Sequence, residues 1–395
     1  MLHRKLLNSL ILAALAGPCI AMADTSQSTP TLSDVLGASG ISMTGYLDFA
    51  YNDMNSTGLF LNPNGTVGGN SHIFDTPTGA TSATKNYSSF NFQQFGVTFS
   101  KAPKEGFGGL VNLTLGEDAM QTASWGLGGN SNNTNHVADL TQAYGSYATG
   151  PLTVIAGKFA TLAGAEVITS PLNSNYTHAW MFGWGPYTHT GVRATYVASD
   201  MLTLIGGVNN GFDTVTSPTG GKTLELGATI TPSSLFSLAS SYYRGKGMLN
   251  TWPPSTTIGM GNYWDTIGTI NATDKLNFVI DYANASQNGV NIQPTGAIGQ
   301  AKWNSLALYA NYHFTDQWRI SYRNENFDDK DGYRSGIAQR LKSNTMTVGY
   351  APTKNFELRG EIRQDKSSDP TAFLQTNGAG KGSQMTYALD GVYQF

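Results

Sequence analysis

Cysteine is almost absent from this sequence, since Cys19 is the single one among its 395 residues. It lies in an N-terminal segment with the pattern of an export signal, so the exported chain would hold no thiol. Such a chain can form neither a disulfide framework nor a cysteine-based metal site. A lipid anchor on Cys19 is disfavoured, because Pro18 stands where a lipoprotein signal has glycine or alanine.

Residues 1–23 have the three parts of a secretory signal peptide. Arg4 and Lys5 provide the positive start, residues 6–17 are almost wholly apolar, and small residues at 21–23 form a cleavage site. The apolar stretch is short for a spanning helix, which favours cleavage over a membrane anchor. Cleavage would move the formal net charge from −3 to −5, because two bases and no acid are lost.

Charge is also scarce, and long apolar runs are missing after the signal. Charged residues make up 12% of the sequence, about half the usual share, and basic residues form no block. Nucleic acid is therefore not an expected partner. No later segment approaches the ~20 apolar residues of a spanning helix. Low charge with abundant glycine, tyrosine and phenylalanine is typical of a transmembrane β-barrel.

Apolar and polar residues alternate in many segments, as they do in strands with two unlike faces. Clear examples are residues 41–52, 276–282 and 306–314. The last segment, 385–395, alternates in the same way and ends on Phe395, as outer-membrane barrels commonly do. In a soluble sandwich the apolar face would cover a core, whereas in a membrane barrel it contacts lipid and the polar face lines the lumen.

The connections alternate between short and long, which favours the membrane barrel. The short ones contain turn-forming residues and fall at 101–106, 149–151, 199–201, 231–234, 272–275, 315–317 and 351–355. The long ones are polar and fall at about 53–87, 118–135, 160–186, 211–221, 245–260, 286–300, 327–339 and 365–380. Seven short turns and eight long loops separate sixteen strands, although one hairpin more or fewer also fits.

We therefore predict an all-β, antiparallel, up-and-down transmembrane barrel over residues 41–395. Short turns and both termini are expected in the periplasm, with long loops outside the cell. Residues 24–40 are expected to form a periplasmic tether, with a helical turn or two over 31–36. An alternative is that this tether enters the barrel mouth.

Several stretches carry a family resemblance: Phe92–Pro103, Gly106–Gly109, Gly157–Phe159 with Gly164–Glu166, and His189–Arg193. They resemble the OmpL-like family of β-barrel porins. The similarity runs from about residue 41 to the end and is densest between 90 and 212. It implies an outer-membrane barrel with porin activity, and it brings no catalytic residues with it.

The third long loop, residues 160–186, is the candidate constriction, because the loop at this place in sixteen-stranded porins commonly folds into the barrel. It mixes polar and aromatic groups, including Glu166, Asn175, Tyr176, His178 and Trp180. A loop in water has little reason to carry so many aromatic residues, whereas a loop packed on the inner wall would bury them. The alternative is an external loop packed against its neighbours.

A charged strip is predicted on the lumenal face of strands thirteen to fifteen. Charge on the lipid face costs about 2–4 kcal/mol at the midplane, so the alternation places these side chains inward. They are Arg319, Arg323, Glu357, Arg359, Glu361 and Arg363. Facing the third loop with its Glu166, the arginines would set a transverse field. Alternatively, the acids neutralise the arginines in structural ion pairs. Arg193, on strand six, is expected to anchor the loop.

Together these features predict an outer-membrane porin, a water-filled channel for diffusion of small polar solutes or ions. The alternative function is a structural or adhesive barrel with a narrow or plugged lumen. We expect no enzyme, cofactor or metal, since the histidines form no metal-spaced pair and no serine has a nucleophile-elbow context. Outer-membrane lipid and the solutes are the expected partners, and a homotrimer is one expected assembly.

Overall fold

The computed structural model describes residues 31–72, 74, 84–127, 138–217, 219–246, 258–293 and 295–395. The predicted signal peptide and the first part of the predicted tether lie outside these residues. The chain divides into two units, one ending at Gly40 and the other beginning at Ile41. Within the described residues, no helix has the length and apolar character needed to cross a membrane.

In the first unit, helix α1 spans Leu32–Ser39. Thr31 caps it: the Thr31 side chain accepts from the backbone N–H of Asp34 at 3.2 Å, and the Asp34 carboxylate accepts from the backbone N–H of Thr31 at 2.8 Å. Gly40 ends the helix in the left-handed conformation, with φ of 65°. The helix is therefore longer than the turn or two expected over 31–36.

The second unit is a closed antiparallel barrel of sixteen described strands, which confirms the predicted fold class. Each strand pairs with its neighbours in sequence, and the last strand closes the ring on the first. The strands are β1 (Ser42–Met54), β2 (Ser88–Lys101), β3 (Gly106–Leu115), β4 (Ala138–Thr149), β5 (Leu152–Ala160), β6 (Thr188–Ser199), β7 (Leu202–Asn209), β8 (Thr223–Ser233), β9 (Phe236–Lys246), β10 (Met260–Asn271), β11 (Leu276–Ile292), β12 (Ala297–His313), β13 (Trp318–Asp329), β14 (Gln339–Thr353), β15 (Phe356–Ser367) and β16 (Ser383–Gln394).

Seven short turns join the strands at one end, here called the short-turn end, at the places predicted. The opposite end is called the long-loop end. The loop predicted at 286–300 is wrong, because β11 and β12 continue as a paired hairpin to Ile292 and Ala297. The few apolar residues of this hairpin stand among glycine and polar residues, so its sequence lacks the regular alternation that marks a strand. A bulge at Asn288, next to Gly289 with φ of 72°, shifts the register within it.

The alternation of faces follows the prediction. On β13, Trp318 and Tyr322 are exposed on the outer surface, whereas Arg323 and Glu325 are completely buried inside. A bulge in β2 interrupts the pattern, so the adjacent Gln93 and Gln94 are both buried.

The main hydrophobic core lies inside the barrel, where loops pack against the wall. A four-stranded sheet formed by the first and last long loops contributes to it. Its strands are Leu59–Leu61, Val67–Asn70, Phe373–Leu374 and Gly380–Lys381. Two short helices lie in other loops, α2 (Glu117–Thr122) and α3 (Trp180–Gly183).

Candidate functional site

The third long loop, residues 161–187 between β5 and β6, runs through the interior of the barrel. The Ser170 hydroxyl donates to Asp48 on β1. The backbone N–H of Gly164 donates to Asp265 on β10 at 3.0 Å, and that of Tyr176 donates to Glu361 on β15 at 2.8 Å. Only a loop that crosses the lumen can reach strands this far apart in the ring, so the external arrangement considered above does not apply.

Carboxylates of the wall and of the fourth loop accept the loop's backbone N–H groups. A loop without regular structure cannot satisfy its own amides once buried, so other groups must supply the acceptors. Glu325 accepts from Trp180 and Met181, both at 2.8 Å. Glu361 also accepts from Thr177, at 3.0 Å. The same role is taken by Asp281 for Ala165 at 2.7 Å and by Asp213 for Tyr187 and Thr188 at 3.0 and 2.8 Å.

Wall arginines bind the carbonyl groups in the same way. All five arginines predicted to face the lumen donate to a backbone oxygen in or beside the loop. The pairs are Arg193 to Ala160 at 3.0 Å, Arg319 to Ser174 at 2.7 Å, Arg323 to Thr177, Arg359 to Asn173 at 3.1 Å, and Arg363 to His178 at 2.7 Å. The predicted charged strip is therefore a docking surface for the loop backbone.

Each of these arginines also has a carboxylate partner. The ion pairs are Arg193–Glu225 at 2.6 Å, Arg319–Glu357 at 2.6 Å, Arg323–Glu166 at 2.6 Å, Arg359–Asp390 at 2.5 Å and Arg363–Asp365 at 2.8 Å. Glu166 touches Arg323 directly, so the predicted transverse field across a gap between these two charges is wrong. Of the predicted wall acids, Glu357 pairs with an arginine, whereas Glu361 holds loop amides.

The aromatic part of the loop packs against the first long loop. The Trp180 indole N–H donates to the carbonyl of Ser71 at 3.0 Å, and the Arg363 guanidinium lies 4.9 Å from the centre of the Trp180 ring. The His178 ring packs against two others, 4.9 Å from Phe74 and 4.6 Å from Phe182, which also contact each other at 5.0 Å. These contacts fix the aromatic part of the third loop inside the barrel.

The five predicted loop residues are brought together here, but all are buried. Asn175 donates to the Thr347 hydroxyl on β14 at 2.6 Å, and the Tyr176 hydroxyl donates to Gln93 at 3.1 Å. Glu166 is 7% exposed and His178 is 9% exposed. These side chains hold the loop in place and offer little surface to water in the lumen.

Cavities lie on both sides of the loop. At the long-loop end, a cavity of about 500 Å³ is lined by Trp184 of the third loop together with Phe60 and Arg334 from other loops. At the short-turn end, a cavity of about 450 Å³ is lined by Ser174 of the same loop and by residues such as Asn277. The third loop therefore forms a partition between them.

Sequence reasoning missed several residues of the site. Asp265 and Asp281 follow the alternation on β10 and β11, and their inward phase could have been found from it. The inward position of both Gln93 and Gln94 could not be found from the sequence, because the bulge in β2 interrupts the alternation of inward and outward residues. Both glutamine side chains donate to Asp118 of α2, with the Gln94 bond at 2.5 Å. Burial raises the pKa of the Asp118 carboxyl to about 7, although these two hydrogen bonds act to lower it.

Comparisons with known proteins agree with this architecture. A family model described as "Putative beta-barrel porin-2, OmpL-like" matches residues 40–395. No curated protein matches the chain.

Solved structures share the fold at low identity. The outer membrane channel DcaP of Acinetobacter baumannii is 15% identical with a TM-score of 0.56, over 90% of this chain and 97% of that one. The anion-selective porin from Comamonas acidovorans is 13% identical with a TM-score of 0.56, over 90% and 99%. The trimer form of OmpT from Vibrio cholerae is 12% identical with a TM-score of 0.55, over 90% and 99%.

Proposed function

The chain belongs to this OmpL-like family of β-barrel porins, and we propose that it forms a narrow outer-membrane channel for small polar solutes or ions with the third loop as its constriction. One observation carries the proposal: Ser174 and Trp184 of that loop line cavities on opposite sides of it. A solute that crosses the barrel has to pass the loop. Family and fold indicate a channel rather than an enzyme, and an outer-membrane location.

The pairing of the charges argues against an anion preference. The five lumenal arginines each contact a carboxylate, and further carboxylates beside the loop bind backbone amides. Positive charge therefore does not dominate the loop's surroundings. The pair Arg319–Glu357 retains exposure, with 13% and 22% of the two side chains accessible. It lies beside Ser174 and is the charged group best placed to meet a passing ion.

The decisive experiment is single-channel recording of the purified full chain in a planar bilayer. We expect small, stable opening steps from the wild type. The variant E325A/E361A removes the acceptors of four loop amides, and each unsatisfied buried amide costs about 1–3 kcal/mol. The loop should therefore undock and conductance should rise. D200N, which changes an exposed acid in the turn between β6 and β7, is the matched control and should conduct as the wild type does.

A structural or adhesive barrel with a plugged lumen is the second candidate. It is favoured by the packing of Phe74 and Ser71 of the first loop onto the third, which extends a hydrophobic core into the lumen. A wild-type barrel that is folded and silent, while E325A/E361A conducts, would replace the porin proposal with this one.

We propose that residues 1–23 are removed as a signal peptide, that residues 24–40 form a tether, and that both termini of the exported chain lie in the periplasm. A homotrimer is the proposed assembly, as in the trimer form of the Vibrio cholerae protein. N-terminal sequencing, protease treatment of whole cells and native mass spectrometry test these features in turn.

A further inference from the structure

The most exposed side chains that the third loop presents to the lumen are apolar. Of residues 161–187, all of which the structure describes, two are exposed: Val167 at 38% and Leu172 at 72%. Polar groups beside Leu172 are bound to the wall, the Ser170 hydroxyl by Asp48 and the carbonyl groups of Ser170 and Asn173 by Arg359. The loop, predicted to mix polar and aromatic groups, therefore offers two aliphatic side chains to a passing solute.

Leu172 lies on a turn that the wall holds in place. It closes a short 3₁₀ turn that begins at Ser170. Arg359 binds the carbonyl groups of Ser170 and Asn173 on either side of it, at 3.4 and 3.1 Å. Two residues further on, Ser174 lines the cavity at the short-turn end. The exposed isobutyl group is thus carried by a fixed backbone two residues from the lining of this cavity.

The wall of β3 to β7 adds apolar groups on the lumenal face. Leu110 lies on the same face of β3 as Thr114, whose side chain is completely buried inside the barrel. On the neighbouring strand, Leu110 is paired with Tyr144. Ile155 is paired with Arg193, which binds the loop from within the lumen. These side chains are half-buried at positions where the lumen of a water-filled channel is polar.

The same apolar face continues onto the loop. Ile205 is paired with Thr195, which lies on the same inward face of β6 as Arg193. A Cβ atom placed on Gly227 would lie 2.9 Å from Leu162 of the loop and 3.3 Å from Ile205. Leu162 and Ile205 therefore meet over this glycine. The wall of β13 to β16 is by contrast charged, and its arginines are bound in ion pairs.

We infer that the channel prefers solutes that carry an apolar group beside their polar one, and that Leu172 with the lumenal face of β3 to β7 sets this preference. Removing apolar surface from water favours association, by about 25 cal/mol per Å². A solute with an aliphatic portion gains this free energy beside Leu172, whereas an equally large polar solute gains nothing. The inference rests on the proposed channel function and names its substrate class.

Liposome swelling with leucine and asparagine tests the inference. The two amino acids are both zwitterions, and their side chains have the same number of heavy atoms, so size and charge do not separate them. In liposomes containing the full chain, we expect leucine to enter about threefold faster than asparagine. The L172N variant should bring the two rates close to each other, and L172M should retain the preference.

Leu127, an exposed leucine of the second loop, gives the matched control L127N, which should keep the wild-type ratio. Folding of each variant is checked by heat-modifiable gel mobility. The inference would be overturned if leucine and asparagine entered at equal rates through the wild type, or if the leucine-to-asparagine ratio were unchanged in both L172N and I205N. Either result would still be consistent with a channel. Entry of neither solute would contradict both the inference and the channel function.

Discussion

Arg323 of β13 and Glu166 of the third loop form an ion pair of 2.6 Å inside the barrel, in which the arginine side chain is 0% and the glutamate side chain 7% exposed. The same guanidinium binds the carbonyl of Thr177. One wall side chain thus joins two points of the loop.

Breaking this pair should release the loop. E166Q leaves the Arg323 charge buried without its partner, which costs about 3–5 kcal/mol. We expect a lower temperature for the gel-mobility transition and faster proteolysis within residues 161–187. D328N breaks the Arg340–Asp328 pair, whose members are 59% and 29% exposed, and should cost at most about 1 kcal/mol. Equal effects of the two substitutions would contradict the assigned role of the buried pair.

Loop docking should weaken as the pH rises. Burial raises the pKa of Asp118 to about 7 despite the opposing charge of His178, and raises that of Asp213 to about 7. The docked state therefore holds these protons more tightly than a state in which Asp118 and Asp213, on the second and fourth loops, are released to water and have ordinary aspartate pKa values. The contribution of the protonated groups is complete below about pH 4 and is lost as the pH rises through about 7.

Conductance measured between pH 4 and 8 tests whether docking weakens as the pH rises. Wild-type conductance should increase over the interval, while D118N/D213N, which cannot ionise at these positions, should show a flatter profile. Conductance that falls with rising pH, or an equal slope in the variant, would show that other groups control docking.

Selectivity should respond to the partly exposed pair at the short-turn end. E357Q leaves Arg319 without its carboxylate, so the local potential becomes more positive and anions are favoured. We expect the anion-to-cation permeability ratio to rise about two- to fivefold. This corresponds to a change of roughly 0.4–1 kcal/mol in the free energy of an ion beside Arg319. The reversal potential under a salt gradient measures it, with D200N as the neutral reference. A shift towards cations would refute the assignment.

Closure of the barrel should depend on Gly45. Its backbone N–H and carbonyl pair with those of Phe395, both at 2.9 Å. A Cβ atom at this position would lie 2.5 Å from the Phe395 ring, so G45A should displace the ring and lower the free energy of unfolding by about 1–3 kcal/mol. G206A, with nothing within 4 Å of the added atom, is the control. Denaturant titration followed by gel mobility measures both.

The sequence was sufficient for the barrel because strand periodicity is local. The alternation around Arg323 and Arg359 placed these side chains in the lumen, and the order of short and long connections gave the strand number. The partners of the charges could not be obtained in this way. Glu361 holds amides of Tyr176 and Thr177, 185 and 184 residues away in the chain. Alternation says which face a side chain occupies and nothing about what lies opposite it.

Several anchors of the third loop are synthesised long after it. Asp265 follows the glycine that it holds by 101 residues, and Arg359 follows the serine that it holds by 189. Asp48 of β1, by contrast, precedes the loop. The loop can therefore begin to settle on early strands, but it reaches its final position only when β10 to β15 have joined the ring.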